Sequence, residues 1–330
     1  MGAGISAFRH TRDLQKRQQN SSGFSCFSPS RNYTTEQTLV IVFSQCITDV
    51  SWKCVIALIE LYGERMRLHA ATDDYSNIKN IGDKNMLKYL NKQLFVHKVD
   101  LRDEPSVEEF YVEILKMEQS IDALVIHIDQ MCVKPLKDTG SKLVTSAFET
   151  NFLAPLMLIK NILPTMKKQR KGRIICLNTV AGVIGIPFHS LYCSTKFAIE
   201  GLMESIAAEC IEHSITASVI ETSLDEEQSP SRVILELPTE SHSSHDEEMI
   251  FEYDQMDETV SKLEHGSLLR CLNVPKISKT IKDIIEHKQP KFRYIIGKST
   301  ANITNEKLKD PRGNTTINEV AKFFMNAEMD

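Results

Sequence analysis

Short apolar, β-branched runs alternate with longer amphipathic segments along most of the chain, and this alternation restricts the fold more than any other feature. The strand-like runs read TLVIVF from Thr38, MRLHAAT, LFVHKVD, DALVIHI, GRIICLNT and ITASVIET. Strands separated by helices of ten or more residues pair in parallel through helical crossovers, and the helices cover both faces of the sheet. The sequence therefore predicts an α/β fold with a doubly wound parallel sheet of the Rossmann type.

Helical segments and an edge strand complete the predicted pattern. One helix covers Trp52 to Tyr62, and SVEEFYVEILKM forms the next. The run VTSAFETNFLAPLMLIKNILPTMKKQ reads as one long helix with Pro164 near its end, because proline disrupts a helix interior. Two more helices are SLYCSTKFAIEGLMESIAAEC and VPKISKTIKDIIEH. The run KFRYIIG is expected at a sheet edge, and KLKDPRGN makes a turn before a last short helix.

Composition divides the chain into one folded domain and flanking segments. Residues 1–37 are rich in Ser, Gln, Asn and Arg and are expected to form a disordered basic arm. The folded domain is expected over residues 38–324, with residues 325–330 as a tail. Within it, residues 221–260 carry thirteen acidic residues and one basic residue. This composition predicts a mobile, lid-like insert and not a core element.

Charge and cysteine usage exclude several classes of function. The formal net charge of −5 and the isoelectric point near 6.1 argue against a nucleic-acid partner. The eight cysteines include no CxxC pair, and the histidines show no metal-ligand spacing, so we expect neither a metal site nor a disulfide framework. Unpaired cysteines are typical of a reducing compartment, which favours a cytoplasmic protein.

The N-terminal residues raise the alternative of attachment to a membrane surface. The chain has no run of 18 apolar residues and no signal-peptide core. It begins MGAGIS, a pattern that fits acylation of Gly2. The basic residues that follow are Arg9, Arg12, Lys16 and Arg17. A basic patch is the second anchor that a single acyl chain needs, although a disordered tail matches so short a motif by chance.

Tyr192 and Lys196 are separated by four residues in a helix-like run, so both side chains are expected on one helix face. An ammonium group near a phenol favours the phenolate and lowers the tyrosine pKa from its usual value of about 10. A tyrosine tuned in this way can exchange a proton with an alcohol or a carbonyl. The spacing alone is equally typical of an ordinary exposed helix face.

The residues around this pair resemble a known family. The stretch KGRIICLNTVAGVIGIPFHSLYCSTKFAIEGLMESIAAE is similar to the short-chain dehydrogenase/reductase family, and most similar to the branch of estradiol 17-beta-dehydrogenases and retinol dehydrogenases. The likeness extends to FETNFLAP, VDLRDEPSV, FRYIIGKST and KLKDPRGN. It covers most of residues 38–324 outside the acidic insert.

The resemblance implies a role for five residues. Tyr192 would be the general acid/base, and Lys196 would lower its pKa and hydrogen-bond the nicotinamide ribose. Asn151 matches the helix asparagine that holds a water in the proton relay. Thr179 stands where the family usually has serine and would orient a substrate oxygen. Asp100 matches the acidic residue that contacts the adenine of the cofactor.

The resemblance also implies the partners of such a site. The cofactor would be NAD or NADP, and the substrate a lipophilic hydroxyl or ketone of the steroid or retinoid type. The acidic insert corresponds to the segment that covers the substrate in this branch. The branch often forms homodimers through the helices that follow Thr145 and Ser190.

The expected cofactor loop departs from the family pattern. The family places T-G-x-x-x-G-I-G after its first strand, and the glycines let backbone amides approach a diphosphate. Here the matching residues read FSQCITDV, with Ser44, Thr48 and Val50 in place of glycine. Val50 disfavours positive φ angles, and Asp49 adds a negative charge near the expected phosphates.

Two more motifs on the cofactor side differ from the family. His127 to Asp129 replace the N-A-G after the fourth strand, and Thr222 to Leu224 replace the P-G after the sixth. In addition, the second strand ends with Asp73 where this branch often has an arginine for a 2′-phosphate, which favours NAD over NADP.

Three hypotheses follow. The first is a nicotinamide-dependent oxidoreductase in which Tyr192 passes the proton. The second is a catalytically inactive protein of the same fold that serves as a binding or scaffold protein. The third is an adaptor held at a membrane surface by its acylated N-terminus.

Overall fold

A computed structural model describes residues 38–46, 49–73, 84–127, 129–225, 247–265, 269–270 and 272–325. The predicted arm over residues 1–37 and most of the predicted tail lie outside the described residues.

Seven strands form one sheet in the spatial order β3-β2-β1-β4-β5-β6-β9, and every neighbouring pair is parallel. In chain order the strands are β1 (Leu39–Phe43), β2 (Met66–Thr72), β3 (Leu94–Lys98), β4 (Ala123–Ile126), β5 (Gly172–Thr179), β6 (Ile215–Thr222), β7 (Leu224–Asp225), β8 (Leu269–Arg270) and β9 (Arg293–Ile295). The short strands β7 and β8 pair with each other in a separate ribbon. The direction of strand order reverses between β1 and β4, and in such folds ligands bind beyond the carboxyl ends of the strands at this point.

The helices connect the strands and cover both faces of the sheet. In chain order the α-helices are α1 (Asp49–Tyr62), α2 (Lys84–Leu87), α3 (Glu104–Glu118), α4 (Ser141–Phe148), α5 (Ala154–Gln169), α6 (Ser190–Glu209), α7 (Glu247–His265), α8 (Val274–Glu286), α9 (Lys298–Lys309) and α10 (Asn314–Met325). A π-helical turn (Glu149–Leu153) joins α4 to α5, and the described residues also form 3-10 turns at Gly63–Arg65, Leu136–Asp138, Val180–Gly182 and Ile211–His213.

Two apolar layers hold the helices on the sheet. Strand β1 shows the alternation: Leu39, Ile41 and Phe43 pack with helices α1 and α8 on one face, and Val42 packs with α3, α5 and α6 on the other. All of these side chains are buried. Burial on both faces explains why the strand reads as a continuous apolar run and not as alternating apolar and polar residues.

The structure confirms the predicted α/β class and the doubly wound parallel sheet. The predicted edge strand is β9, at one end of the sheet. The long helix predicted before Gln169 is interrupted by the π-helical turn, and Pro164 lies inside α5, which continues to Gln169.

The acidic segment differs in part from its prediction as a mobile insert. Residues 226–246 lie outside the described residues, but Glu247–His265 form helix α7. Tyr253, Met256, Val260 and Leu263 recur at intervals of three or four residues, which places them on one helix face. Met256 and Leu263 are buried in an apolar cluster, so this part of the segment belongs to the core. The prediction relied on composition, whereas the apolar spacing decides the structure.

Within the described residues, no helix combines the length and apolar character needed to cross a membrane.

Candidate active site

Strand β5 and helix α6 bring two hydroxyl groups together at the carboxyl edge of the sheet. Strand β5 ends at Thr179, whose Oγ1 accepts a hydrogen bond of 3.3 Å from the amide of Ala181. Helix α6 begins at Ser190, so Tyr192 lies in its first turn. The hydroxyl oxygens of Thr179 and Tyr192 are 3.3 Å apart, and both residues are buried. Two of the predicted site residues are therefore adjacent.

Lys196 lies one helical turn after Tyr192, on the same face of α6 as its spacing predicts. Its Nζ is 5.3 Å from the centre of the Tyr192 ring. The Lys196 side chain is only 3% exposed. A buried ammonium group requires compensation by a negative charge or by several acceptors.

Asp129, which follows strand β4, supplies that negative charge. Its Oδ1 accepts a hydrogen bond of 2.7 Å from the Tyr192 hydroxyl and lies 2.9 Å from Nζ of Lys196. The Asp129 side chain is 4% exposed. In the sequence Asp129 stands out only as a departure from a family motif, and its position in that motif does not predict this contact. The sequence feature that could have predicted this contact is a carboxylate that follows β4, at the same edge of the sheet as the tyrosine–lysine pair.

The carboxylate changes the protonation of the tyrosine. Burial raises the pKa of Tyr192 well above its usual value, and the charge of Asp129 raises it further. The hydrogen bond with Thr179 acts in the opposite direction and is a smaller influence. The expectation that Lys196 lowers this pKa does not describe this arrangement, because Asp129 binds both the ammonium and the phenol. Tyr192 is a protonated phenol here.

Asn151 fixes the segment that carries Asp129. It lies in the π-helical turn, is buried, and its Oδ1 accepts a hydrogen bond of 2.9 Å from the amide of Gln130. Its Nδ2 donates to the carbonyl of Gln130 at 2.9 Å and to Oγ1 of Thr195 at 3.1 Å. Thr195 belongs to α6, so Asn151 connects the end of β4 to the helix that carries Tyr192 and Lys196.

Apolar side chains surround the tyrosine. The buried cluster that contains Tyr192 also includes Met131, Val133, Val180, Ala181, Val183, Ile184, Ile186, Cys193, Leu224, Met256, Leu263 and Phe324. Helices α7 and α10 contribute three of these residues. The hydroxyl pair therefore lies beside a lipophilic environment.

The chain after strand β1 continues to bond to the sheet. The amide of Ser44 donates to the carbonyl of Val125 at 2.9 Å, and the amide of Cys46 donates to the carbonyl of Ala71 at 2.6 Å. The Ser44 hydroxyl accepts a hydrogen bond of 2.8 Å from the amide of His127. The predicted differences at Thr48 and at the Asp49 side chain lie outside the described residues, and Val50 is buried in the core. The amides of Ser44 and Cys46 are thus engaged by the protein itself.

His127 connects strand β4 to helix α1. Its Nδ1 is 2.8 Å from Oγ of Ser51, and both side chains are buried. Burial lowers the pKa of His127 to about 4, against an opposing influence of the Asp129 charge. The imidazole is therefore neutral at physiological pH, and this contact is a hydrogen bond between uncharged groups.

A cavity of about 270 Å³ opens at the carboxyl ends of strands β1 to β4. It is lined by Gln45, Asp73, Asp100, Leu101, Arg102, Asp129, Gln130, Thr150 and Ala154. Arg102 binds both carboxylate oxygens of Asp100 at 3.0 Å, and this contact lowers the pKa of Asp100. The positive charge of Arg102 is thus committed to Asp100, and the lining is acidic.

The replacement of the P-G motif after strand β6 has a structural role. The hydroxyl of Thr222 donates to the carbonyl of Asn178 at 3.1 Å, and Leu224 is buried in the apolar cluster. The chain beyond β6 is therefore held at the end of the sheet by the Thr222–Asn178 hydrogen bond and by the apolar packing of Leu224.

A nicotinamide dinucleotide, which the family resemblance implies, fits part of this edge. The cavity beside Asp73 and Asp100 offers carboxylates to ribose hydroxyls, so its chemistry fits an adenosine group. The turn after β1 offers fewer free donors to a diphosphate, because the amides of Ser44 and Cys46 are bonded to the sheet. Lys196 is bonded to Asp129. The cavity therefore fits the adenosine end of such a cofactor. At the diphosphate and nicotinamide ends, the protein's own contacts already engage the amides of Ser44 and Cys46 and the ammonium group of Lys196.

Comparison with known families gives one match at this region. A profile described as short chain dehydrogenase matches residues 71–226, which include Thr179, Tyr192, Lys196 and Asp129.

Two human proteins illustrate the similarity to individual sequences. Retinol dehydrogenase 8 of Homo sapiens is 26% identical over 186 residues, which cover 55% of this chain and 57% of that protein. The 17-beta-hydroxysteroid dehydrogenase type 1 of Homo sapiens is 32% identical over 124 residues, which cover 38% of this chain and 37% of that protein. The match thus spans about half, or less, of the length of these relatives.

Solved structures show the same fold at low identity. A short-chain dehydrogenase from Streptomyces avermitilis superposes with a TM-score of 0.67 at 15% identity, over 89% of this chain and all of the other. ElxO, in a structure with NADP bound, gives 0.61 at 17% identity, over 81% of this chain and all of the other. At these identities the likeness concerns the fold.

Proposed function

We propose that this chain, which is similar to the short-chain dehydrogenase family over residues 71–226, interconverts a lipophilic hydroxyl and a ketone with a nicotinamide cofactor. The observation that supports this proposal is the 3.3 Å contact between the hydroxyls of Thr179 and Tyr192 beside a buried apolar cluster. A substrate oxygen that contacts both hydroxyls would be oriented by Thr179 and would exchange its proton with Tyr192.

The proposed roles of the residues follow from their contacts. Tyr192 is the proton donor for reduction, because its buried phenol is protonated. Thr179 supplies a second hydroxyl, and Asn151 fixes the end of strand β4 against helix α6. A bound nicotinamide would supply or accept the hydride. Lys196 would lower the pKa of Tyr192 once its ammonium group is released from Asp129.

The substrate class follows from the lining of the site. Apolar residues of helices α7 and α10 contact the cluster around Tyr192, so a steroid-like or retinoid-like body would lie under α7. Relatives with retinol and 17-beta-hydroxysteroid dehydrogenase names are consistent with this class.

We propose NAD as the preferred cofactor. Asp73 and Asp100 line the cavity, and Arg102 is already bound to Asp100. Because Arg102 compensates the charge of Asp100, the repulsion of a 2′-phosphate would come chiefly from Asp73, and at about 4 Å it costs about 4 kcal/mol at a surface-like dielectric.

Cofactor binding is the most direct test. Trp52 is buried near the start of helix α1, which follows the β1 turn, and it is the only tryptophan of the chain. The full-length protein is titrated with NADH and with NADPH, and binding is monitored by energy transfer from Trp52. We expect NADH to bind at a lower concentration than NADPH. The oxidoreductase proposal is wrong if neither cofactor changes the fluorescence at millimolar concentration.

A catalytically inactive binding protein of the same fold is the second candidate. The contact of Asp129 with both Tyr192 and Lys196 favours it, because the pair is already satisfied inside the protein. Turnover of steroid and retinoid alcohols or ketones in the presence of saturating cofactor would exclude this candidate.

We further propose a homodimer formed through the helices after Thr145 and Ser190. Val144, Leu153 and Phe197 are exposed apolar residues on these elements, which supports a contact there. Light scattering of the purified protein should give twice the chain mass, and Phe197→Glu should reduce it. A monomer at all accessible concentrations contradicts this proposal.

Attachment to a membrane surface remains a proposal based on the sequence MGAGIS and the basic residues after it. Co-expression with an N-myristoyltransferase should add the mass of one acyl chain at Gly2, and Gly2→Ala should prevent it. An unmodified N-terminus under these conditions contradicts the proposal.

A further inference from the structure

One carboxylate oxygen holds the proton donor and its neighbouring ammonium group at once. We propose that Asp129 is a positioning residue that keeps Tyr192 and Lys196 in a resting arrangement, and that a ligand engages this pair only by displacing the Asp129 carboxylate. The inference rests on the proposed function for its meaning in catalysis, but the contact itself can be tested without turnover.

A single oxygen atom of Asp129 contacts both Tyr192 and Lys196. Oδ1 is 2.7 Å from the Tyr192 hydroxyl and 2.9 Å from Nζ of Lys196. A ligand hydroxyl that bonds to Lys196 and Tyr192 has to approach Nζ of Lys196 and the hydroxyl oxygen of Tyr192, which both contact Oδ1 of Asp129. Both donors therefore bond to the chain before any ligand arrives, and the ligand competes with an internal acceptor.

The segment that carries Asp129 is held in place. Asn151 bonds to both the amide and the carbonyl of Gln130, the next residue, and also to Thr195 of helix α6. This bracing limits the displacement of Asp129 to a rotation of its side chain or a local shift of one residue. The adjoining cavity, which Asp129 lines, gives the carboxylate space to move into.

The histidine and the cysteines near the ion pair are uncharged near neutral pH, and Glu200, one helical turn after Lys196, is paired with Arg293 at 2.8 Å. Burial lowers the pKa of His127 to about 4 and raises the pKa of Cys176 to about 12 and that of Cys193 to about 11. Thr179, the other hydroxyl neighbour, does not ionise. Burial and the charge of Asp129 are therefore the main influences on the pKa of Tyr192. Removal of the Asp129 charge leaves Lys196 to act on the phenol alone, and the pKa of Tyr192 should fall.

The first experiment measures the protonation of Tyr192 in the full-length protein. Tyrosine labelled with carbon-13 at Cζ gives one NMR signal per tyrosine, and Tyr192→Phe assigns the relevant one. In the wild type we expect the midpoint of this signal to lie above the usual tyrosine value of about 10, because burial and the Asp129 charge raise the pKa, and in Asp129→Asn we expect a lower midpoint. Equal behaviour in both proteins overturns the proposal, as does a wild-type midpoint at or below about 10.

A second tyrosine–carboxylate contact provides a matched control. The Tyr253 hydroxyl donates to Asp138 at 3.0 Å, and burial and this contact raise the pKa of Tyr253 to about 12. Asp138→Asn should lower the midpoint of the Tyr253 signal and leave the Tyr192 signal unchanged. A shift of Tyr192 in this variant would show a general effect of charge, and the assignment to Asp129 would fall.

A variant that removes the side chain protects the test against a folding defect. If Asp129→Asn does not fold, Asp129→Gly repeats the measurement without an amide that could form new bonds. The expected direction is the same, and a Tyr192 signal that stays at the wild-type position in Asp129→Gly overturns the proposal.

Cofactor affinity and turnover separate this inference from the proposed function. Asp129→Asn should bind NADH about tenfold more tightly, as measured through Trp52, and should raise kcat when the wild type turns over. A shifted Tyr192 signal without NADH binding in either protein supports the positioning role and contradicts the oxidoreductase proposal. Wild-type turnover with an unshifted Tyr192 signal in the variant supports the oxidoreductase proposal and contradicts the positioning role.

Discussion

The junction of β1 with α1 and the junction of β5 with α6 lie at the same edge of the sheet, and they differ in how they are stabilised. At the first, His127 forms neutral hydrogen bonds to Ser44 and Ser51. At the second, Asp129 forms an ion pair with Lys196 and accepts a hydrogen bond from Tyr192. The two residues stand two positions apart after strand β4, so one strand end serves both junctions.

The comparison indicates that residues typical of a family can be present at one junction of a sheet edge and absent at another. The β5–α6 junction retains the tyrosine, the lysine and a hydroxyl residue, whereas the β1–α1 junction has lost its glycines. In both places a side chain from the end of β4 bonds to a buried hydroxyl group on the helix of the junction. The roles of Tyr192, Lys196 and Thr179 can therefore be inferred only together with the groups that these side chains contact.

The largest expected effect comes from Tyr192→Phe. Loss of the proton donor should lower kcat by a factor of about 10²–10⁴. The free energy of unfolding should change by only about 1 kcal/mol, because Asp129 remains paired with Lys196. Steady-state kinetics and urea unfolding of the same preparation measure both quantities, and Tyr253→Phe serves as the control. A large loss of stability with unchanged turnover would show that the tyrosine is structural.

A second test examines whether a buried carboxyl group beside the β5–α6 junction is charged. On the neighbouring strand β6, Glu221 is buried and contacts Arg293, which also binds Glu200 at 2.8 Å. Burial raises the pKa of Glu221 from 4.5 to about 9, and the charge of Glu200 raises it further. The native state therefore retains a proton that the unfolded state releases between these values.

Stability should accordingly be greatest below a pH of 4.5 as far as Glu221 is concerned, and should fall as the pH rises towards 9. Glu221→Gln should reduce this loss by a few kcal/mol, on the order of the pKa difference. Urea unfolding at several pH values measures the slope. Glu204→Gln is the matched control, since Glu204 lies 3.8 Å from Arg293 but is 64% exposed. An equal effect of both variants would contradict the buried proton.

The neutral junction has a smaller expected effect. Ser51→Ala removes the partner of the buried Nδ1 of His127 and should lower the free energy of unfolding by about 1–3 kcal/mol. Ser205→Ala, which removes an exposed hydroxyl on helix α6, should change it by no more than about 0.5 kcal/mol. If the two serines prove equivalent in urea unfolding, the His127 contact does not stabilise the β1–α1 junction.

The last prediction concerns acid sensitivity at the same junction. The pKa of His127 is about 4 in the native state against 6.5 for a free histidine, so its contribution to stability is present above 6.5 and is lost as the pH falls towards 4. His127→Gln should reduce the slope of stability against pH in this window by at most about 1.4 kcal/mol per pH unit. His287→Gln, at an exposed position, is the control, and identical slopes in the two variants would exclude this role.

Local patterns in the sequence predicted the elements and part of the site. The apolar runs marked β1 to β6, and the spacing of Tyr192 and Lys196 placed them on one helix face, because strand and helix periodicity depend on neighbouring residues. The acidic segment shows the limit of composition: its charges hid the spacing of Met256 and Leu263, which anchors helix α7.

Local sequence patterns were sufficient to predict the parallel sheet, the order of its elements and the hydroxyl, phenol and ammonium groups at the β5–α6 junction. The bonding partners of those groups depend on contacts between distant parts of the chain. Asp129 and Tyr192 are 63 positions apart, and no local periodicity specifies such a contact. The contact exists because β4 and β5 pair side by side and burial leaves the Lys196 ammonium in need of a negative charge, which the nearest strand end supplies.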